Sequence, residues 1–182
     1  MPMHALIEPK AVVTELAGVL MPAHYDGSIR DESIMGYVLL RRLLRQHFDL
    51  ELDSRRIQLS SAGKPYLPDS GIHFSISHSS DYVACVVGIQ PVGIDIEQPR
   101  PFPARLVQRV LTAGDVATGI DPLTAWVIKE AYSKYRGLGL GLTFGDYSAT
   151  ELLQQHGSWL SVTEHYTCAA FSKKSAQPSE VM

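Results

Sequence analysis

Asp95, Glu97, Glu130, Lys134 and Lys64, with Ser77 and His78, are the side chains whose types and spacing could do chemistry here. Asp95 and Glu97 stand two apart in Val92-Gly93-Ile94-Asp95-Ile96-Glu97. That stretch reads as a short strand, and alternate side chains of a strand share a face, so Ile94 and Ile96 point one way and the two carboxylates the other. Two carboxylates on one face, joined by a third, make a hard oxygen site suited to Mg²⁺, which keeps several waters and shares its shell with substrate phosphates. A solvated strand edge shows the same alternation, so the motif alone leaves both readings open.

Glu130 and Lys134 are four apart and share one face of a helix. They form either a surface ion pair, worth roughly a few tenths of a kcal/mol, or a third metal ligand with a lysine reaching a phosphate. Lys64 lies in the turn Ala62-Gly63-Lys64-Pro65. There it is either a point-charge contact for a phosphate or a solvated turn lysine. Ser77 and His78 end a strand, where an imidazole beside a hydroxyl can bind phosphate or take a proton; a structural histidine is the alternative. A serine-hydrolase dyad is disfavoured, because adjacent strand residues point to opposite faces and no G-x-S-x-G is present. The run Gly137-Leu138-Gly139-Leu140-Gly141-Leu142 follows a helix rather than a strand. It therefore reads as a helix stop and loop, not as a nucleotide-binding turn.

The elements that must position these residues follow from periodicity. Residues 11–17 suggest a strand and 18–27 a loop. Ser28 with Asp31 resembles a capping box. The spacing of Ile34, Val38, Leu39, Leu43, Leu44 and Phe48 predicts an amphipathic helix to about His47. Strands are expected at 57–60, 73–78, 82–89 and 92–97, the second and third as a hairpin. A short helix is expected over 104–111. Asp121-Pro122 then caps a helix running to Arg136, with Trp126 in the core. Further strands are predicted near 144–153, 158–164 and 166–171, before a polar tail from Ser175 that is expected to be disordered.

The halves resemble each other. With Tyr82 set on Tyr166, Ile76-Ser77 falls on Leu160-Ser161 and Ala84-Cys85 on Cys168-Ala169, and each half reads as helix, strand, hairpin. A duplication predicts two similar lobes about a pseudo-twofold axis, with a cleft at the seam.

A length of 182 residues, 45% hydrophobic and 19% charged, suits one large domain or two small lobes. A formal charge of −3 argues against non-specific nucleic-acid binding. No apolar run is long enough to span a bilayer, and Met-Pro-Met-His does not begin a secretory signal. Cys85 and Cys168, both in apolar segments, make neither a disulfide framework nor a zinc motif, so a reduced cytoplasmic location is expected.

Gly-Lys-Pro-Tyr-Leu, Phe-Ser-Ile-Ser-His-Ser, Val-Gly-Ile-Asp-Ile-Glu and Trp-Val-Ile-Lys-Glu-Ala-Tyr-Ser-Lys-Tyr-Arg-Gly-Leu-Gly-Leu occur between Gly63 and Leu142. In this order and spacing they resemble the 4′-phosphopantetheinyl transferases of the two-lobed, Sfp-like type. The resemblance implies an α+β fold of two similar lobes, each a helix packed on antiparallel strands. Residues 1–91 would form the lobe on the 3′-phosphate side of coenzyme A, and 92–174 the lobe holding Mg²⁺ and pyrophosphate. It further implies transfer of the phosphopantetheine arm of coenzyme A to a serine of an apo acyl or peptidyl carrier protein, releasing 3′,5′-ADP. Asp95, Glu97 and Glu130 would hold Mg²⁺, Lys134 would contact the phosphate, and Glu130 would also serve as base for the incoming hydroxyl. Lys64, Ser77 and His78 would hold the 3′-phosphate end.

The chain departs from the family pattern before Lys64. No lysine lies between Lys10 and Lys64, so His24, Arg30 or Arg41 would have to complete the grip on the 3′-phosphate, and Ser33 stands near a family hydroxyl contact. A two-lobed chain forms its cleft alone, so a monomer without membrane or nucleic-acid partners is expected. Two other functions remain open on sequence: a non-catalytic module that binds coenzyme A or a carrier, and a Mg²⁺-dependent phosphohydrolase that cleaves coenzyme A without a carrier.

Overall fold

The computed structural model describes residues 3–10, 31–138, 143–155 and 157–173, with the side chains of 31–33 left out. The strand expected over 11–17, the Ser28 cap, His24, Arg30, the side chain of Ser33, most of the glycine-leucine run and the tail from Ser175 lie outside these residues.

Two three-stranded antiparallel sheets form the centre. The first has the order β1–β5–β4, from β1 (His4–Pro9), β4 (His73–Ser79) and β5 (Tyr82–Gly88). The second has the order β6–β8–β7, from β6 (Val92–Glu97), β7 (Gly157–Val162) and β8 (Thr167–Ser172). A short hairpin of β2 (Gln58–Leu59) and β3 (Pro65–Tyr66) carries the Lys64 turn. The long helices are α1 (Asp31–Phe48) and α4 (Pro122–Arg136); α2 (Ala104–Val110), α3 (Ala113–Thr118) and α5 (Ala149–Gln155) are short. No helix among the described residues is long and apolar enough to cross a membrane.

The strands alternate as a layered fold requires. Val83, Cys85 and Val87 of β5 pack with Val38, Leu39 and Leu43 of α1. Ala84 and Val86 turn the other way, to meet Ile94 and Ile96 of β6 and Cys168 and Ala170 of β8 in a core between the sheets. Ala169 and Phe171 face Val127, Ile128 and Ala131 of α4. Cys85 and Cys168 are free, and burial pushes both thiols up.

The halves repeat in register. Ser77 pairs with Ala84 in one hairpin, and Ser161 with Cys168, each 84 positions on, in the other. Tyr82 and Tyr166 are themselves in contact, with ring centroids 5.1 Å apart, as residues beside a pseudo-twofold axis must be.

One expectation changes and two elements were not expected. One of these is the strand at His4–Pro9. Residues 144–153 are not a strand: Phe144–Asp146 is a 3-10 turn and Ala149–Gln155 is helical. An unexpected helix, α3, is closed by a capping box between Thr112 and Asp115. One buried carboxylate accounts for much of this. Asp115 accepts from Thr112 N (3.0 Å), Ala149 N (2.8 Å) and Ser148 Oγ (3.2 Å), tying the starts of α3 and α5 together. Its other partner is Lys129 Nζ at 2.7 Å, which also donates to the carbonyls of Val110 and Phe144; both charged side chains are 0% exposed. Burial raises the Asp115 pKa, but the hydrogen bond from Lys129, the Thr112 and Ala149 amides and the Lys129 charge outweigh it and bring it to about 2.

Removing one member of such a pair leaves a buried charge unpaired. Lys129→Met is therefore expected to cost about 3–5 kcal/mol in urea unfolding at pH 7. Adding Asp115→Asn should cost less than the sum of the two single changes. The wild-type contribution of Asp115 is present above the ordinary aspartate value and is lost as pH falls through about 2.

Candidate active site

The site is built where β6 lies on α4. Asp121 caps α4 by accepting from Thr124 N at 2.9 Å, Pro122 takes the first turn, and Gly137 ends the helix at φ 68°. Glycine at 93 lets the strand reach the helix backbone. A Cβ there would lie 2.2 Å from Tyr135 N and 2.3 Å from Ala131 O. That contact puts Asp95 opposite the last turn of α4. Lys134 Nζ lies 2.7 Å from Asp95 Oδ1 and donates to it, and it also donates to Ser77 Oγ at 2.9 Å. Ser77 donates in turn to Asp95 Oδ1 at 2.8 Å. Asp95 and Ser77 are buried.

Ser77 belongs to a ladder of three. Ser75 Oγ accepts from Ile94 N (3.3 Å), and Ser79 Oγ donates to Glu97 Oε2 (3.1 Å) while accepting from Gln98 N (3.1 Å). The serine face of β4 thus seams the first sheet to β6. Arg100 holds the other oxygen of Glu97 at 3.3 Å. Glu130 is half-buried. Burial raises its pKa most, the Asp95 and Glu97 charges add to the rise, and Lys134 opposes it. It lines a cavity of about 350 Å³ with Leu106, Arg109, Trp126, Thr143 and Phe144. Trp126, expected in the core, is half-buried in this wall, with its ring 4.9 Å from that of Phe144.

Asp95, Glu97, Glu130, Lys134 and Ser77 therefore meet at one seam. Lys134 answers Asp95 rather than its helical neighbour Glu130. Lys64 reaches the same junction by a different route: its ammonium donates to the carbonyls of Val92 (2.7 Å) and Lys134 (2.6 Å). Burial, and then the Lys134 charge, lowers its pKa to about 8. His78 is exposed, one residue on from Ser77 and so on the opposite face of β4. Arg41 is paired with Glu51 at 2.8 Å. Sequence reasoning missed Ser75, Ser79 and Lys129; the Ser-x-Ser-x-Ser alternation was the available signal for the first two.

As the side chains stand, no three acidic, histidine or cysteine groups among the described residues are gathered as a metal site. The donor set nevertheless fits Mg²⁺. It consists of hard carboxylate oxygens, and the Asp95 and Glu97 charges add to the burial that raises the Glu130 pKa.

The profile of the 4′-phosphopantetheinyl transferase superfamily matches residues 91–179, the half that holds β6 and α4. Over these residues the chain is similar to that superfamily. It is 32% identical over 126 residues to the 4′-phosphopantetheinyl transferase Sfp of Bacillus subtilis, covering 64% of this chain and 56% of that protein. It is 27% identical over 161 residues to the 4′-phosphopantetheinyl transferase psf-1 of Bacillus pumilus, covering 82% and 68%. It is 28% identical over 135 residues to the mouse L-aminoadipate-semialdehyde dehydrogenase-phosphopantetheinyl transferase, covering 60% and 43%. The matches thus span from 43% to 68% of these relatives' lengths. As in the Sfp-like phosphopantetheinyl transferases that the sequence resembles, the fold is α+β with antiparallel sheets.

Two outcomes follow from the geometry. Gly93→Ala forces β6 and α4 apart and is expected to cost at least about 1–3 kcal/mol of stability, read by thermal unfolding. For Glu130, a folded pKa above the unfolded one means that its stabilising contribution is present below the ordinary carboxylate value and lost as pH rises through the folded pKa. Glu130→Gln should therefore melt higher than wild type at pH 7 in metal-free buffer, and this gain should vanish towards pH 4.

Proposed function

We propose that this protein transfers the 4′-phosphopantetheine arm of coenzyme A to a serine of an apo acyl or peptidyl carrier protein, releasing 3′,5′-ADP. The observation that carries the proposal is the gathering of Asp95, Glu97, Glu130 and Lys134 at one seam in a chain similar to this superfamily. The reaction makes a bond between the serine Oγ and the phosphorus that bears pantetheine. It breaks the bond from that phosphorus to the bridging oxygen, which leaves with its electron pair on 3′,5′-ADP. Such a transfer asks for positioning and charge neutralisation more than for covalent help from the protein.

Asp95, Glu97 and Glu130 are the proposed holders of Mg²⁺. Bound there, the ion would neutralise the pyrophosphate oxygens. Lys134, oriented by Asp95 and Ser77, presents an ammonium to the transferred phosphate. The serine proton passes to Glu130, whose raised pKa makes it a better acceptor than an ordinary carboxylate. Ser77 acts at the phosphate nearest Lys134. His78, with Arg30, is the proposed contact for the 3′-phosphate end. The division of labour is between residues 1–91 on the coenzyme A side and 92–174 on the pyrophosphate side. A cytoplasmic monomer agrees with two free, buried cysteines and a seam formed within one chain.

The test is incubation with coenzyme A, Mg²⁺ and a panel of apo carriers, reading 3′,5′-ADP release and carrier mass. Wild type is expected to load at least one carrier, to stop on addition of EDTA and to resume with Mg²⁺. Asp95→Ala should lose at least about 10²-fold in rate while keeping its circular dichroism spectrum, because Ile94 and Ile96 hold the core face unaided. Folded wild type that loads no carrier would overturn the proposal.

A further inference from the structure

Lys64 has a second possible role, and its geometry favours that one. Its backbone is fixed before its side chain acts: Lys64 N donates to Ser60 Oγ at 3.1 Å, Ser60 N donates to Lys64 O at 2.9 Å, and Gly63 turns the chain at φ 78°. From this turn the ammonium crosses to the junction of β6 and α4. There it donates to two backbone carbonyls at once, Val92 O at 2.7 Å and Lys134 O at 2.6 Å. Val92 opens β6, three residues before Asp95. The other carbonyl belongs to the residue whose ammonium sits on Asp95. It also lies in the last turn of α4, where carbonyls lack helical partners and a cation is favoured by the helix dipole. Gly93, beside Val92, is where strand and helix backbones touch.

We infer that Lys64 is a positioning residue: it clamps the C-terminal turn of α4 to the start of β6 and so fixes Lys134 against Asp95, instead of gripping the 3′-phosphate of coenzyme A. Two of its three N–H bonds are committed to the clamp. A lysine that served the phosphate first would have to give up both carbonyls; among the described residues Lys134 O also accepts the longer bond from Gly137 N at 3.3 Å. The neutral amine keeps two N–H donors, so the clamp also survives deprotonation.

The inference rests on the transferase reading, and the experiment separates the two. Wild type and Lys64→Met are compared on coenzyme A and on 3′-dephospho-coenzyme A with the same apo carrier, and hydrogen exchange is followed at Gly137 and Leu138. A positioning role predicts that kcat falls about tenfold or more by the same factor on both substrates. It also predicts that the ratio of their KM values is unchanged and that the Gly137 and Leu138 amides exchange faster. Lys64→Arg, whose guanidinium can span two carbonyls, should recover part of kcat. If Lys64→Met does not fold, Lys64→Gln carries the same comparison. A variant that loses the preference for coenzyme A over its dephospho form, with exchange unchanged, overturns the inference in favour of a phosphate contact. Unchanged kcat with unchanged exchange overturns it as well. Should wild type load no carrier, the transferase reading fails, and the exchange comparison still decides whether the clamp exists.

Discussion

The close approach of β6 to α4 at Gly93 is the constraint on which the candidate site depends. No side chain larger than hydrogen fits between the strand and the amide of Tyr135. With the two backbones in contact, the register of strand against helix is set by peptide geometry rather than by adaptable side chains. Asp95 then falls where the terminal turn delivers Lys134, and Glu130, one turn earlier on the helix, falls where it feels both strand carboxylates. Behind this contact, Ile94 and Ile96 anchor β6 in the core between the sheets. On the far side of α4, the Lys129–Asp115 pair fixes the helix to α3, α5 and the 3-10 turn. The strand and the helix are each held from behind, so the charges between them cannot relieve their repulsion by moving apart.

The pseudo-twofold shows what was added to the shared frame. By sheet register, Asp95 opposite Ala169 corresponds to Leu6 opposite Cys85, and Gly93 opposite Phe171 to His4 opposite Val87. Where β6 brings a carboxylate, β1 brings a leucine. Where Gly93 lets α4 in, His4 stacks on His47 of α1 at 3.7 Å. The serine seam differs at one rung: Ser75 opposite Val86 corresponds to Trp159 opposite Ala170, whereas Ser77 corresponds to Ser161. Beside Trp159, the β1–β7 side carries a cavity of about 400 Å³ lined by Met3, Ala5, Leu6, Ile7, Trp159 and Ala170. Packing is common to both halves, whereas the carboxylates Asp95, Glu97 and Glu130 all come from the second.

Strand alternation made the faces of β6 legible, because period two is local and burial obeys it. Capping chemistry did the same for α4, from Asp121 to Gly137. The partners of Lys134 and Lys64 were not legible. Helical periodicity points Lys134 at Glu130, whereas its ammonium goes to a strand brought beside it by tertiary packing. The partners of Lys64 are carbonyls, which every residue carries and no sequence pattern marks. Residues 144–155 misled for a related reason. Phe144, Tyr147 and Thr150 favour strands, but the turn and helix there are organised by Asp115, 34 residues before Ala149. β1 was missed because it is a six-residue edge strand that ends in proline.

The electrostatics of the seam give direction to this arrangement. Lys134 satisfies Asp95, and Arg100 and Ser79 share Glu97, but Glu130 is left in partial burial against two like charges, with Lys134 alone among its resolved influences favouring its ionised form. A seam that only joined two sheets would be better served by apolar side chains. Keeping Glu130 ionised here costs stability in the ligand-free protein. On the proposed reading that cost would be returned when a cation binds, and the affinity for it and the instability of the empty form would have the same origin. The rigid contact at Gly93 is what prevents the fold from escaping this frustration, and it therefore links the packing of β6 on α4 to the chemistry that the seam can perform.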